Sequence, residues 1–268
     1  MRILAFAVLF LPAVQGASFF FSSGTPDGLM ATASRPSSSG KIEIETADDF
    51  ITTASNTNLT SGSFFGLLPT GAATSTVSSI NVEIYRVFPN DSDTVRTINV
   101  NTRANSPSDI AFDSRDSAAG ELAYTVGVLN SSFTAGNSVL NGINKKPNQN
   151  TGGEGPVSGQ EVQINFTLTT PFSLPADHYF FVAQVELSNG DFYWLSSPRP
   201  AFTGDLQSWI RNANLDPDWS RVGTDIVGAG AFNAAFSLSG NDAPEPATWG
   251  MVLAGLAAAG LARSRRRS

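Results

Sequence analysis

Glu161-Val162-Gln163-Ile164-Asn165-Phe166-Thr167-Leu168 alternates polar and apolar residues without a break. A period of two places Val162, Ile164, Phe166 and Leu168 on one face of a strand and Glu161, Gln163, Asn165 and Thr167 on the other. Such a strand has one face against a core and one in water. Pro171 is expected to end it, because proline gives no hydrogen to a sheet ladder.

The flanking sequence repeats the pattern. Downstream, Tyr179 to Leu187 and Phe192 to Leu195 are apolar runs joined by Ser188-Asn189-Gly190-Asp191, and Asn-Gly between such runs predicts a β-hairpin. Upstream, Lys41 to Glu45, Ser61 to Leu68, Ile80 to Tyr85 and Glu121 to Leu129 read as strands, with a further short one at Thr97 to Val100. The first of these is expected to end at Asp48-Asp49. Residues 18–40 read as polar, turn-rich chain, 90–120 as long loops, and 130–159 as a long polar insertion without structure of its own. Leu206, Trp209 and Ile210 are spaced as one face of a short helix that Asp205 would cap. Ala231 to Leu238 supplies the last strand. At least six strands with no βαβ rhythm predict an all-β fold, an antiparallel β-sandwich of jelly-roll-like type, and disfavour a Rossmann-type nucleotide domain.

Composition narrows the function classes. The 268 residues carry 16 Lys and Arg against 23 Asp and Glu, a net charge of −7. Five of the arginines (Arg2, Arg263, Arg265, Arg266 and Arg267) lie at the two ends, so the segment between them is more acidic still. That charge argues against nucleic acid as a partner. With 0 cysteines there are no disulfides, thiol nucleophiles or Cys-ligated metals, and stability must come from a packed core.

No catalytic residue is selected. His178, the 1 histidine, precedes an aromatic strand, there is no Gly-x-Ser-x-Gly elbow, and an ordinary strand-edge residue is the expectation. The chain cannot supply a familiar zinc site. Calcium stays open as a cofactor, since its ligands are carboxylates and carbonyls: Asp48-Asp49, Asp91-Ser92-Asp93, Asp109 with Asp113 and Asp116, and Asp216-Pro217-Asp218 are the acidic clusters, with solvated turns as the alternative. No pair among the acids is singled out as a glycosidase pair. Of the aromatic residues, Trp209 and Trp219 are the candidates for stacking on a sugar ring, against the alternative that they pack inside.

The two ends read as addresses. Met1-Arg2, the apolar run Ile3 to Leu11, Pro12 and the small residues before Ala17 form a signal peptide, residues 1–16, with cleavage expected after Gly16. Residues 17–242 are the ectodomain. Residues 243–268 comprise Pro244-Glu245-Pro246, an uncharged run from Ala247 to Ala262, and Arg263, Arg265, Arg266 and Arg267. At 1.5 Å per residue that run spans about 24 Å as a helix, short for a hydrocarbon core of roughly 30 Å. The arginines predict a cytoplasmic C-terminus, with the rest of the chain on the far side of the membrane.

Pro-Glu-Pro, a short apolar helix and a terminal arginine cluster resemble the PEP-CTERM sorting signal, a tail also described as the C-terminal domain of ice-binding proteins. The resemblance covers about a tenth of the chain and implies sorting only. It implies recognition by an exosortase, a membrane-embedded cysteine transpeptidase-like enzyme of bacteria that make exopolysaccharide and biofilm. Pro244, Glu245 and Pro246 would be the sorting motif. The expectation is a protein exported by its signal peptide, transiently membrane-anchored, processed by an exosortase, and then held at the cell surface or in the extracellular matrix without catalytic activity. Extracellular polysaccharide is a candidate partner. A secreted carbohydrate-binding module and a carboxylate-dependent hydrolase are the alternatives.

Overall fold

The computed structural model describes residues 16–38, 40–96, 103–143, 150–198, 207–243 and 255–256. Its strands in chain order are β1 (Ser18–Ser22), β2 (Met30–Ala33), β3 (Ile44–Thr52), β4 (Thr57–Leu68), β5 (Val77–Arg86), β6 (Asp113–Asp116), β7 (Leu122–Ala135), β8 (Asn137–Val139), β9 (Val157–Leu174), β10 (Asp177–Leu187), β11 (Tyr193–Ser197), β12 (Trp209–Asn212), β13 (Ser220–Arg221), β14 (Asn233–Ala234) and β15 (Phe236–Asp242). Among the described residues, a 3-10 turn at Thr74–Thr76 and a π-helix at Val222–Val227 are the helical pieces between them.

Two sheets form. In the nine-stranded sheet, β4 pairs with β9 on one side, and β9 pairs in turn with β7. On its other side β4 pairs with β15 along Thr57 to Phe64 and with β11 at Gly66 and Leu67. The six-stranded sheet runs β13-β12-β3-β10-β5-β6. Pairing between the named strands is antiparallel apart from β2 with β8.

The sheets pack face to face, as the alternation predicts. Val162, Ile164, Phe166 and Phe236 of the first sheet meet Phe50, Val82, Ile84 and Phe181 of the second in one buried cluster. Phe181 stacks on Phe166 and Phe236, with ring centroids at 5.8 and 5.3 Å, and meets Trp194 edge-on at 5.8 Å. Each such ring taken from water contributes roughly 1.5–3 kcal/mol, so this layer is the main source of stability in a chain without cross-links.

The structure corrects several expectations. Asn189-Gly190 does make a turn, with Gly190 at φ +80, but β10 and β11 belong to different sheets, so the two apolar runs pack face to face rather than edge to edge. Asp191 fixes that corner by accepting from Arg35 at 2.8 Å and Lys41 at 2.9 Å. Pro171 does not end β9: Ser61 lies opposite Thr167 and Leu59 opposite Phe172, so the proline sits in a bulge where no ladder hydrogen is missed. Asp48 and Asp49 lie inside β3 rather than after it. Trp209 and Ile210 belong to strand β12 rather than a helix, and Asp205 and Leu206 fall outside the described residues. Part of the 130–159 insertion is ordered, as the end of β7, β8 and the start of β9. The short strands β1, β2 and β6 were read as loops, and the strand expected at 97–100 lies outside the described residues.

Candidate functional site

Alternation in β3, β5, β10 and β12 turns a second set of residues to the outer face of the six-stranded sheet: Glu45, Glu83, Tyr85, Phe180, Val182, Gln184, Trp209 and Arg211. Toward β12 this face is not wet. Ala47, Tyr85, Phe180, Val182, Trp209 and Trp219 form a buried cluster of their own, against which Val87 and Ala111 pack.

Arg211 is the centre of this layer, at 6 % exposure. Its Nε and Nη2 donate to the two oxygens of Glu45, and Nη2 also donates to Tyr85 Oη at 2.8 Å. Nη1 reaches Asp216 at 3.0 Å and the carbonyls of Asp109 at 3.1 Å and Pro217 at 3.3 Å. Its guanidinium lies 4.3 Å from the centre of the Trp219 ring. Burial alone would make the cation easier to discharge, but the charge and hydrogen bonds of Glu45 outweigh it, and the Arg211 pKa is raised. Burial and Glu45 likewise push the Tyr85 phenol upward.

Tyr85 Oη lies 2.8 Å from Glu45 Oε1 and 2.7 Å from Glu83 Oε2. A phenol has one hydrogen and cannot give it to both carboxyls. A neutral Glu83 resolves the conflict, because its own proton can go to the phenolic oxygen while Tyr85 gives its hydrogen to Glu45. Burial, then the Glu45 charge, favours that neutral form, raising the Glu83 pKa to about 7. The two carboxyl groups are therefore within about 5.5 Å of each other, near the separation used by retaining glycosidases. Glu45, however, is 4 % exposed and its oxygens are taken by Arg211 and Tyr85, so neither is free to attack a substrate.

Beside this network lies an open groove of about 420 Å³, lined by Pro36, Ser37, Glu43, Ser79, Asn81, Ser114, Asp116, Ala118, Gln184 and Glu186. Its walls mix hydroxyl, amide and carboxyl groups with apolar surface. Gln184 donates to Glu43 at 2.9 Å and Asn81 donates to Gln184 at 3.1 Å, and burial raises the Glu43 carboxyl above its usual range.

Trp209 and Trp219, the candidate sugar platforms, are covered. They are 1 % and 3 % exposed, and Trp219 donates to the Ser108 carbonyl at 3.1 Å while Arg211 and Tyr85 take its ring faces and edges. Neither offers a face on which a sugar could stack.

The acidic clusters are turned toward protein partners. Asp91 holds Arg86, Asp109 holds Arg96 and Arg103, Asp113 holds Arg115, Asp216 holds Arg211 and Asp218 holds Arg96. Asp48 points between the sheets and accepts from Asn233 at 2.8 Å and from the Ala234 amide at 2.6 Å, and burial together with Asp49 raises its pKa. Asp49 faces the other way and meets His178 Nε2 at 2.8 Å, with the imidazole 25 % exposed. No hydroxyl among the described residues completes a triad with that pair. Nor, among those residues, does any group of three or more His, Asp or Glu side chains suit a metal.

Sequence reading missed Glu45, Glu83, Tyr85 and Arg211. Alternation shows which face each occupies, but the Arg211 to Glu45 pair joins positions 166 residues apart, and no local signal links them.

The two ends of the domain come together. β1 pairs with β15, so Ser18 lies opposite Asn241, the Asp242 amide donates to the Ala17 carbonyl at 2.8 Å, and the Ala243 amide donates to Asn56 at 2.7 Å. The expected cut after Gly16 and the start of the tail therefore meet at one end of the sandwich. Pro244, Glu245, Pro246, Arg263, Arg265, Arg266, Arg267 and nearly all of the 247–262 span lie outside the described residues, as does most of the signal peptide. Among the described residues no helix is long and apolar enough to cross a membrane.

Residues 242–267 match the family model of the PEP-CTERM protein-sorting motif. The chain carries that sorting motif. A PEP-CTERM tail is recognised by exosortase and marks an exported protein. The match begins at Asp242, the last residue of β15, so the PEP-CTERM tail starts where the sandwich stops. No curated protein and no solved structure matches the chain.

Proposed function

We propose that the chain is a cell-surface or extracellular-matrix protein whose β-sandwich is delivered by the PEP-CTERM tail, released by an exosortase, and retained outside the cell without catalysing a reaction. The observation that carries this reading is the junction at Asp242, where a sorting tail follows directly on a self-contained sandwich. The absorption of Glu45 into the Arg211 network supports a non-catalytic role. Expression in an exosortase-bearing host tests it. The parent is expected in the surface or medium fraction, and a Glu245→Ala, Pro246→Ala variant in the membrane fraction; identical fractionation of both would contradict it.

A second reading, binding of a polyhydroxylated ligand such as extracellular polysaccharide, is favoured by the groove beside Asn81 and Gln184, whose hydroxyl, amide and carboxyl groups suit hydrogen bonding to sugar hydroxyls. Co-sedimentation with the host's own polysaccharide, lost on Asn81→Leu and unaffected by a chelator, is the expected result. Retention unchanged by Asn81→Leu would remove the groove from the account.

A further inference from the structure

β7 is an unprotected edge of the nine-stranded sheet. It pairs with β9 alone, and among the described residues no hydrogen bond reaches the backbone of 122–132 from its other side. Edges of this kind are normally guarded by lysine, proline, an inward charge or a bulge. The sequence Leu122-Ala123-Tyr124-Thr125-Val126-Gly127-Val128 contains no charged residue and no proline, and its register against β9 is unbroken until the shift after Val128.

The stretch is also self-complementary. Leu122, Tyr124 and Val126 face the core side, Leu122 buried and the other two half-buried, while Val128 is 46 % exposed; Ala123, Thr125 and Gly127 are exposed on the other face. Laid antiparallel on a second copy with Thr125 opposite Thr125, Leu122 meets Val128 and Tyr124 meets Val126 on one face, and Ala123 meets Gly127 on the other. Apolar residues then lie on apolar residues, and the inner face of the nine-stranded sheet continues into the partner. No charged side chain lies within 122–128 to oppose the pairing. Two bodies of net charge −7 repel, but Glu121 and its copy would stand at opposite ends of the seam, about 27 Å apart at 3.4 Å per residue, and Glu161, one strand in from the seam, is 5 % exposed and takes a hydrogen bond from Asn130.

We propose that two copies of this chain associate through β7, antiparallel about a two-fold axis at Thr125. A seam of one strand a side is smaller than a permanent dimer buries, so the association depends on concentration. It does not depend on the sorting reading.

Sedimentation of the purified full chain in mild detergent tests it. The parent forms a dimer whose fraction rises with concentration. Thr125→Glu and Thr125→Lys each place like charges opposite one another at the axis and weaken the dimer about fivefold or more, and mixing the two variants in equal amounts restores it. Because the tail is common to all these chains, it cannot produce that pattern. Hydrogen exchange of the parent gives a second readout that needs no variant: amides in 122–128 exchange more slowly as concentration rises. A monomeric parent, variants that dimerise as well as the parent, a mixture that fails to recover, or exchange independent of concentration would overturn the proposal.

Discussion

Over β9 and β10 the outer faces of the two sheets have opposite environments, although the nine-stranded sheet is itself covered at its other end, around Leu67, Ala135 and Leu195. On the nine-stranded sheet, Asn165 and Thr167 of β9 stand in water beside Thr125 of β7. On the six-stranded sheet, the same kind of outward position holds Phe180, Val182 and Gln184 of β10, all buried, with Val87, Ala111, Trp209 and Trp219 packed on or beside the first two. Asn165 and Thr167 need no protein partner because water supplies one, whereas Glu161, toward the covered end of their face, is 5 % exposed and takes Asn130 as its partner. The outer face of the six-stranded sheet has buried a cation and two carboxyls, and must satisfy them internally or pay several kcal/mol per charge. A sheet face is therefore dry or wet according to what crosses over it, and the polar residues of a covered face become its most demanding feature.

The comparison can be broken first at the layer both sheets share. Phe181→Ala removes a ring held by Phe166, Trp194 and Phe236 and is expected to cost about 3–5 kcal/mol, read by denaturant unfolding. Next comes the covered outer face. Arg211→Leu leaves Glu45 buried without its counter-charge and should cost about 3 kcal/mol or more, while adding Glu45→Gln to that variant should recover part of the loss. If Arg211→Leu alone unfolds no more easily than the parent, the face is not buried as described.

A pH series sharpens the same point. The folded chain holds the Glu83 proton up to about 7, while the unfolded chain releases it near 4.5. Protonation therefore favours folding, and stability should fall as pH rises between those values, by no more than about 3 kcal/mol from this group. Glu83→Gln should flatten the slope. Some slope should persist, because Glu43 and Asp48 are raised in the same direction. The smallest effect belongs to the wet face, where Asn165→Ser should change stability by less than about 0.5 kcal/mol.

The alternation of 161–168 and 80–85 was enough to place β9 and β5 and to name the residues that meet between the sheets. Tyr179 to Leu187 reads from the sequence as a second strand with one wet face, yet Phe180, Val182 and Gln184 are buried as fully as Phe181 and Ala183, because Val87, Ala111, Trp209 and Trp219 pack against its outer side. What was not legible has a common cause. Asn189-Gly190 specifies a local turn but not which edges will pair, so β10 and β11 were assigned to one hairpin instead of two sheets. Trp209 and Ile210 suit a strand or a helix equally until β3 is known to lie alongside. The Arg211 network is a meeting of three strands and two loops, most of them distant in sequence, so its members look like ordinary solvated charges. The tail was legible because its signal is linear: three parts in order within 26 residues, the same stretch that the sorting-motif family matches at 242–267.

The central claim is that this tail is an address, removed once the sandwich reaches the outside. Intact-mass measurement of protein extracted from the surface of the producing cell tests it most directly. The account predicts a chain that begins at Ala17 and ends near Pro246; a mass that still includes Arg265 to Ser268 would contradict it.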